Sequence, residues 1–174
     1  MALKKILTEP NKILRQKSLP VEKVDGELQK LIDDMLETMY AAPGIGLAAI
    51  QVGVPKRIIV LDIASKDEPK NPMCFINPEI IEKSETNSTY EEGCLSVPGQ
   101  CAEIDRPSKC YLKYLDYYGQ PKELKAEGML ATCIQHEMDH LEGILFIDYL
   151  SKLKRSMIAK KLSKQKKELE RIVV

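Results

Sequence analysis

The sequence predicts an α+β fold: antiparallel or mixed β-sheets packed around a central helix that carries a metal-ligand motif, with one helix before it and a basic helix at the C-terminus. Three observations predict it. Apolar residues recur at helical spacing in three stretches, β-branched and aromatic runs separated by turn residues lie among them, and no repeat, Gly/Ser linker or low-complexity tract divides the chain. With 174 residues, 44% of them apolar, residues 1–174 can enclose one sizeable core and read as one domain.

Taken in order, Leu28, Leu31, Ile32, Met35, Leu36 and Met39 form the stripe of an amphipathic helix, with Asp25 as its N-cap and Pro43-Gly44 as its stop. Arg57 to Ile63 is a continuous β-branched run, as expected of a buried strand. Cys74 to Ile81 offers a second strand, which Pro78 places at an edge or a bulge. Lys109 to Leu115 and Lys122 to Ala126 read as a hairpin turning at Asp116 to Gln120. Gly128 to Leu141 is a helix with Leu130, Cys133, Ile134, Met138 and Leu141 on its apolar side. Residues 151–174, with Leu153, Met157, Ile158, Leu162 and Leu169 among many lysines, form an amphipathic basic helix.

Charge and composition narrow the function. The 26 basic and 26 acidic residues cancel, so no whole-molecule field favours nucleic acid or an anionic membrane. Five cysteines lack the close, even spacing of a disulfide framework and read as reduced thiols. The N-terminus turns polar before a signal-peptide core builds up, and no run of ~18 apolar residues follows, so the expectation is a soluble, cytoplasmic protein.

The chemistry concentrates at His136-Glu-Met-Asp-His140. Residues four apart on a helix stack on one face, so both imidazoles can reach one ion while Glu137 hydrogen-bonds water beside it. These are the only two histidines, and Phe146 stands where a metzincin carries its third, so the third protein ligand is a thiolate or a carboxylate. Cys133 is too far: its seven-residue separation from His140 is about 10 Å of helix rise. Cys94 is preferred, because Gly93 lets its backbone approach closely from a separate segment. Asp148 is the alternative. Three protein ligands leave a coordination position for water, the arrangement of a catalytic site, and hydrolysis is the natural chemistry.

Gly44-Ile-Gly-Leu-Ala-Ala49 with Asp62 downstream imitates a dinucleotide fingerprint. Such a fingerprint must follow a strand, whereas Leu28 to Met39 has helical spacing, so the small residues serve close packing and no dinucleotide is expected.

Gly44-Ile-Gly-Leu-Ala-Ala-Ile-Gln51, Glu92-Gly-Cys-Leu-Ser96 and Gln135-His-Glu-Met-Asp-His140, in this order, resemble the three motifs of peptide deformylases. The resemblance covers most of the chain and implies removal of the formyl group from N-formylmethionine at the start of new bacterial or organellar polypeptides. It implies one divalent ion, Fe(II) foremost, with zinc, nickel or cobalt able to occupy the site; the Cys94, His136 and His140 donors suit iron and zinc equally. Carried onto this chain, Glu137 takes a proton from water and returns it to the leaving amine, while the Gln51 side-chain amide and the Leu95 backbone N–H hold the developing oxyanion. Gly46 and Gly93, with Gly44, match positions where substrate backbone docks. Ile45, Met129, Thr132 and Cys133 match the pocket for the methionine side chain, the last three preceding His136 by seven, four and three residues. Some bacterial members carry arginine where this chain has Cys101; Arg106 is a nearby cation without an assigned role. The terminal helix, bearing Lys152, Lys154, Arg155, Lys160, Lys161, Lys164, Lys166, Lys167 and Arg171 against Glu168 and Glu170, resembles the helix that in some deformylases docks on the ribosome.

Overall fold

Helix α1, Gly26–Ala41, begins where the Asp25 carboxylate accepts from the Leu28 amide at 2.9 Å, and ends just before Pro43. The computed structural model describes residues 2–173. The chain then forms β1 (Gly46–Ala48), β2 (Ile58–Leu61) and β3 (Met73–Lys83), followed by the hairpin β4 (Asn87–Cys94) and β5 (Val97–Pro107). A second hairpin, β6 (Lys109–Leu115) and β7 (Pro121–Glu127), leads directly into α2 (Gly128–Leu141), and α3 (Lys152–Val173) closes the chain.

Five strands form one sheet in the order β1-β2-β3-β6-β7, and β4 pairs only with β5 in a second. Every strand pairing is antiparallel. Among the described residues a parallel contact occurs only as the isolated bridge Leu19 to Lys56, so the mixed-sheet expectation reduces to an antiparallel one.

The large sheet lies between two helices, and β2 shows it residue by residue. Ile58 and Val60 face α1, where they meet Leu28, Ile32, Met35 and Met39. Ile59 and Leu61 face α2, where they meet Ala131, Ile134 and Leu141. Both faces are buried, so the strand is apolar throughout instead of alternating. A third cluster seats Ile158 and Leu162 of α3 on Val97 and Ile104 of β5, through Leu145, Phe146 and Ile147. The remainder of α3 is largely exposed.

Pro78 resolves to the bulge and not the edge: β3 is interior, its pairing with β6 shifts between Ile76 and Glu79, and Asn77 adopts φ 50°. The Asn77 side chain accepts from the Val21 amide and donates to the Val21 carbonyl, each at 2.8 Å, tying the segment before α1 to the sheet. The predicted β6–β7 turn is capped by Asp116, whose carboxylate accepts from the Tyr118 and Gln120 amides. The β4–β5 hairpin was not predicted. No helix among the described residues is long and apolar enough to cross a membrane.

Candidate active site

Cys94 ends β4 at the tight turn into β5, where Leu95 and Ser96 connect the strands and Cys94 pairs with Val97. His136 and His140 lie one turn apart on α2. The ligand atoms of these three residues all fall within 4.8 Å of one another, and the Cys94 Sγ to His140 Nε2 distance is 3.5 Å. Donors bound ~2.0–2.3 Å from one tetrahedral ion stand about 3.5 Å apart, so the spacing suits a divalent ion. No other such group occurs among the described residues. Asp148, the alternative ligand, instead accepts from Arg15 at 2.6 Å and from the Leu145 amide at 3.1 Å.

Behind the imidazoles lies a buried ionic network. Glu92 Oε1 accepts from His136 Nδ1 at 2.8 Å, which turns Nε2 toward the donor group. Arg106 grips the same carboxylate with Nε at 2.7 Å and Nη2 at 2.9 Å, and reaches Asp139 with Nη1 at 2.8 Å. Tyr149 donates to Asp139 at 2.7 Å. Burial works against charge on Glu92, yet its hydrogen bonds with His136 and Arg106 hold the carboxyl below the usual range. Sequence reasoning missed this set. Arg106 is buried and reaches His136 through Glu92.

The same surroundings divide the two imidazoles. Burial opposes charge on His136, but its hydrogen bonds with Cys94 and Glu92 prevail and lift it to about 10. Burial, with repulsion from His136, drives His140 well below its ordinary value.

Glu137 faces the donor group, its Oε1 3.9 Å from His136 Nε2 and its Oε2 4.0 Å from His140 Nε2. Oε2 is buried with no hydrogen-bond partner among the described residues. Burial raises Glu137 to about 7 despite attraction to His136 and Arg106, so the carboxyl can hold or release a proton near neutrality. Gln51 is pinned beside it: Oε1 accepts from the Ala48 amide at 2.8 Å, while Nε2 donates to Ser96 Oγ at 2.9 Å and lies 3.5 Å from Cys94 Sγ.

The glycine segment packs closely, as its composition suggested. A Cβ on Gly44 would stand 2.7 Å from Leu95 Cδ1, and one on Gly46 would stand 2.6 Å from Glu137 Oε1. Gly46→Ala is therefore expected to displace the carboxylate, lowering turnover by roughly 10–100-fold with the ion retained. Steady-state rates with metal analysis check this, and an unchanged rate would contradict the placement. Asp62 is occupied structurally, accepting from Tyr40 Oη at 2.6 Å and from the Ala64 and Asn71 amides at 2.9 Å each.

A groove of about 640 Å³ runs past Ile45, Gly46, Gly93, Leu95 and Cys101 to Glu137. A smaller recess of about 100 Å³ opens beside it, lined by Ile45, Tyr90, Met129, Thr132 and Cys133. The donor group, the groove and the recess lie together: all three share His136, and the groove and the recess also share Glu137, whereas Asp148 lies outside them.

A family model described as polypeptide deformylase matches residues 3–156. The peptide deformylase of Pelagibacter ubique (strain HTCC1062) is 67% identical over 174 residues, 100% of both chains. That of Phenylobacterium zucineum (strain HLK1) is 60% identical over 167 residues, 96% of this chain and 99% of the relative. A crystal structure of peptide deformylase from Ehrlichia chaffeensis in complex with actinonin gives a TM-score of 0.91 at 47% identity, covering 95% of this chain and 98% of that one.

Proposed function

We propose, from the premise that this chain belongs to the polypeptide deformylase family of metal-dependent hydrolases acting on the N-formyl group, that residues 1–174 form one catalytic domain whose α2 helix bears the reacting centre. Its substrates are new polypeptides beginning with N-formylmethionine, and its product is formate. Cys94, His136 and His140 hold the ion. The grouping of their donor atoms beside an unpartnered, buried Glu137 oxygen carries this reading.

When bound, a divalent ion there polarises the formyl carbonyl and lowers the pKa of water toward neutrality. Glu137 accepts the proton of the attacking water at its unbonded Oε2 and returns it to the amine nitrogen as the C–N bond breaks. The Gln51 amide, oriented by the Ala48 N–H, offers Nε2 to the oxygen that gains charge, together with the Leu95 backbone N–H. Gly44, Gly46 and Gly93 allow the peptide backbone into the groove. The recess beside α2 accepts the methionine side chain between Ile45, Met129, Thr132 and Cys133.

Fe(II) is the proposed ion on family resemblance, since a Cys/His/His set serves zinc equally. The cytoplasm is the proposed compartment. The exposed lysines of α3 support a salt-sensitive contact with the ribosome, where nascent chains emerge.

The test is an anaerobic preparation assayed for bound metal and for formate release from formyl-Met tripeptides, with an internally cleavable peptide as control. Expected are one ion per chain and formate from the first substrate. Cleavage of the control peptide without formate release would instead favour a general metallopeptidase.

A further inference from the structure

Two threonines are buried in helices, and their hydroxyls have different fates. In α1, Thr38 Oγ1 donates back to the Asp34 carbonyl at 2.7 Å and accepts from the Lys4 amide at 2.9 Å, a usual way for a helical threonine to satisfy its side chain. In α2, Thr132 is only 5% exposed, yet its Oγ1 bonds to no group among the described residues. It lines the recess of about 100 Å³ together with Ile45, Tyr90, Met129 and Cys133, and with Glu92 and Glu137. Glu92, in the same lining, already serves Arg106 and His136 through both of its oxygens, and the Glu137 oxygens lie 3.9 and 4.0 Å from the two imidazoles.

A buried hydroxyl without a partner is costly, and a guest that brings an acceptor to it recovers part of that cost. A side chain with only carbons at that depth recovers none. The thioether sulfur of methionine is a weak acceptor, whereas the corresponding CH₂ of norleucine accepts nothing. Burial alone ranks the two the other way, because the all-carbon chain is the more hydrophobic.

We infer that the Thr132 hydroxyl reads the sulfur of the formylmethionine side chain, so that the recess selects a thioether over an all-carbon chain of equal length. This deepens the deformylase reading and rests on it. Thr132 is a specificity-determining residue that touches the substrate side chain and takes no part in proton transfer. Any water the hydroxyl holds before the side chain enters is displaced by either guest, so the difference between them lies in the bond regained.

The experiment compares kcat/KM for matched formyl-Met and formyl-norleucine tripeptides with the metal-loaded full chain and with Thr132→Val and Thr132→Ser. The unaltered chain is expected to favour methionine by about 3–10-fold. Thr132→Val, of equal shape, is expected to bring the ratio to about one, mainly through loss on the methionine substrate, and Thr132→Ser to restore the preference. Each ratio is taken within one preparation, so partial loss of folded protein scales both rates alike. Formate from both substrates with no preference in the unaltered chain, or with an unchanged ratio in Thr132→Val, overturns the inference alone. No formate from either substrate overturns the deformylase reading and this inference with it.

Discussion

Glu137→Gln is expected to lower kcat/KM for formyl-Met peptides by roughly 10²–10⁴-fold while leaving the bound ion in place. The substitution keeps the shape of a side chain that must fit against Gly46, where even a methyl group would collide with Oε1. It removes the ability to accept and return a proton, while Cys94, His136 and His140 are untouched. Metal analysis separates the two effects: normal ion content with a normal rate would mean that another group moves the proton. Loss of the ion along with the rate would mean that Glu137 helps hold it.

The second large effect is expected at Arg106. Arg106→Leu removes the cation of the network, leaving Glu92 as a buried carboxylate and Asp139 as a half-buried one short of their partner. Breaking such a pair by deleting one partner typically costs about 3–5 kcal/mol, readable by denaturant or thermal unfolding. Because Glu92 also orients His136, ion affinity should fall by roughly 10–100-fold. Stability within about 0.5 kcal/mol of the unaltered chain, with unchanged affinity, would show that the network does not support the site.

This network also marks where the sequence was hard to read. The α1 helix was legible because its apolar spacing and the Asp25 cap agree, and α2 because the two histidines demand one helical face. Cys94 was preferred because Gly93 lets its backbone approach closely, with Asp148 left as the alternative. The β4–β5 hairpin was not legible. Ala102, Ile104 and Arg106 point inward while Glu103 and Asp105 point out, a regular two-residue alternation, but the arginine at an inward position disguises it, and Pro98 and Gly99 suggest a loop. Glu92 was open to discovery, since it lies two residues before Cys94 in the same strand and so shares its face. Charged residues are ordinarily assigned to the surface, and nothing local announces that Glu92, Arg106 and Asp139 pair beneath a histidine. Thr132 was chosen for position alone; that its hydroxyl lacks a partner emerges only when the helix carbonyls and the β4 wall are in place.

The burial of β2 on both faces has a consequence for how the sheet assembles. A strand with one wet face rejects a one-residue slip, because the slip would carry its apolar side into solvent. Ile58, Ile59, Val60 and Leu61 are apolar throughout, so sliding by one position would merely exchange the side chains offered to the two helices. Correct alignment must be encoded elsewhere, and the kink at Asn77 contributes to it: its amide donates to the Arg57 carbonyl at 2.9 Å, just before β2, and its side chain clasps Val21 in the segment before α1. Four apolar residues provide the driving force, and a single polar one ties the middle of the sheet to the start of β2.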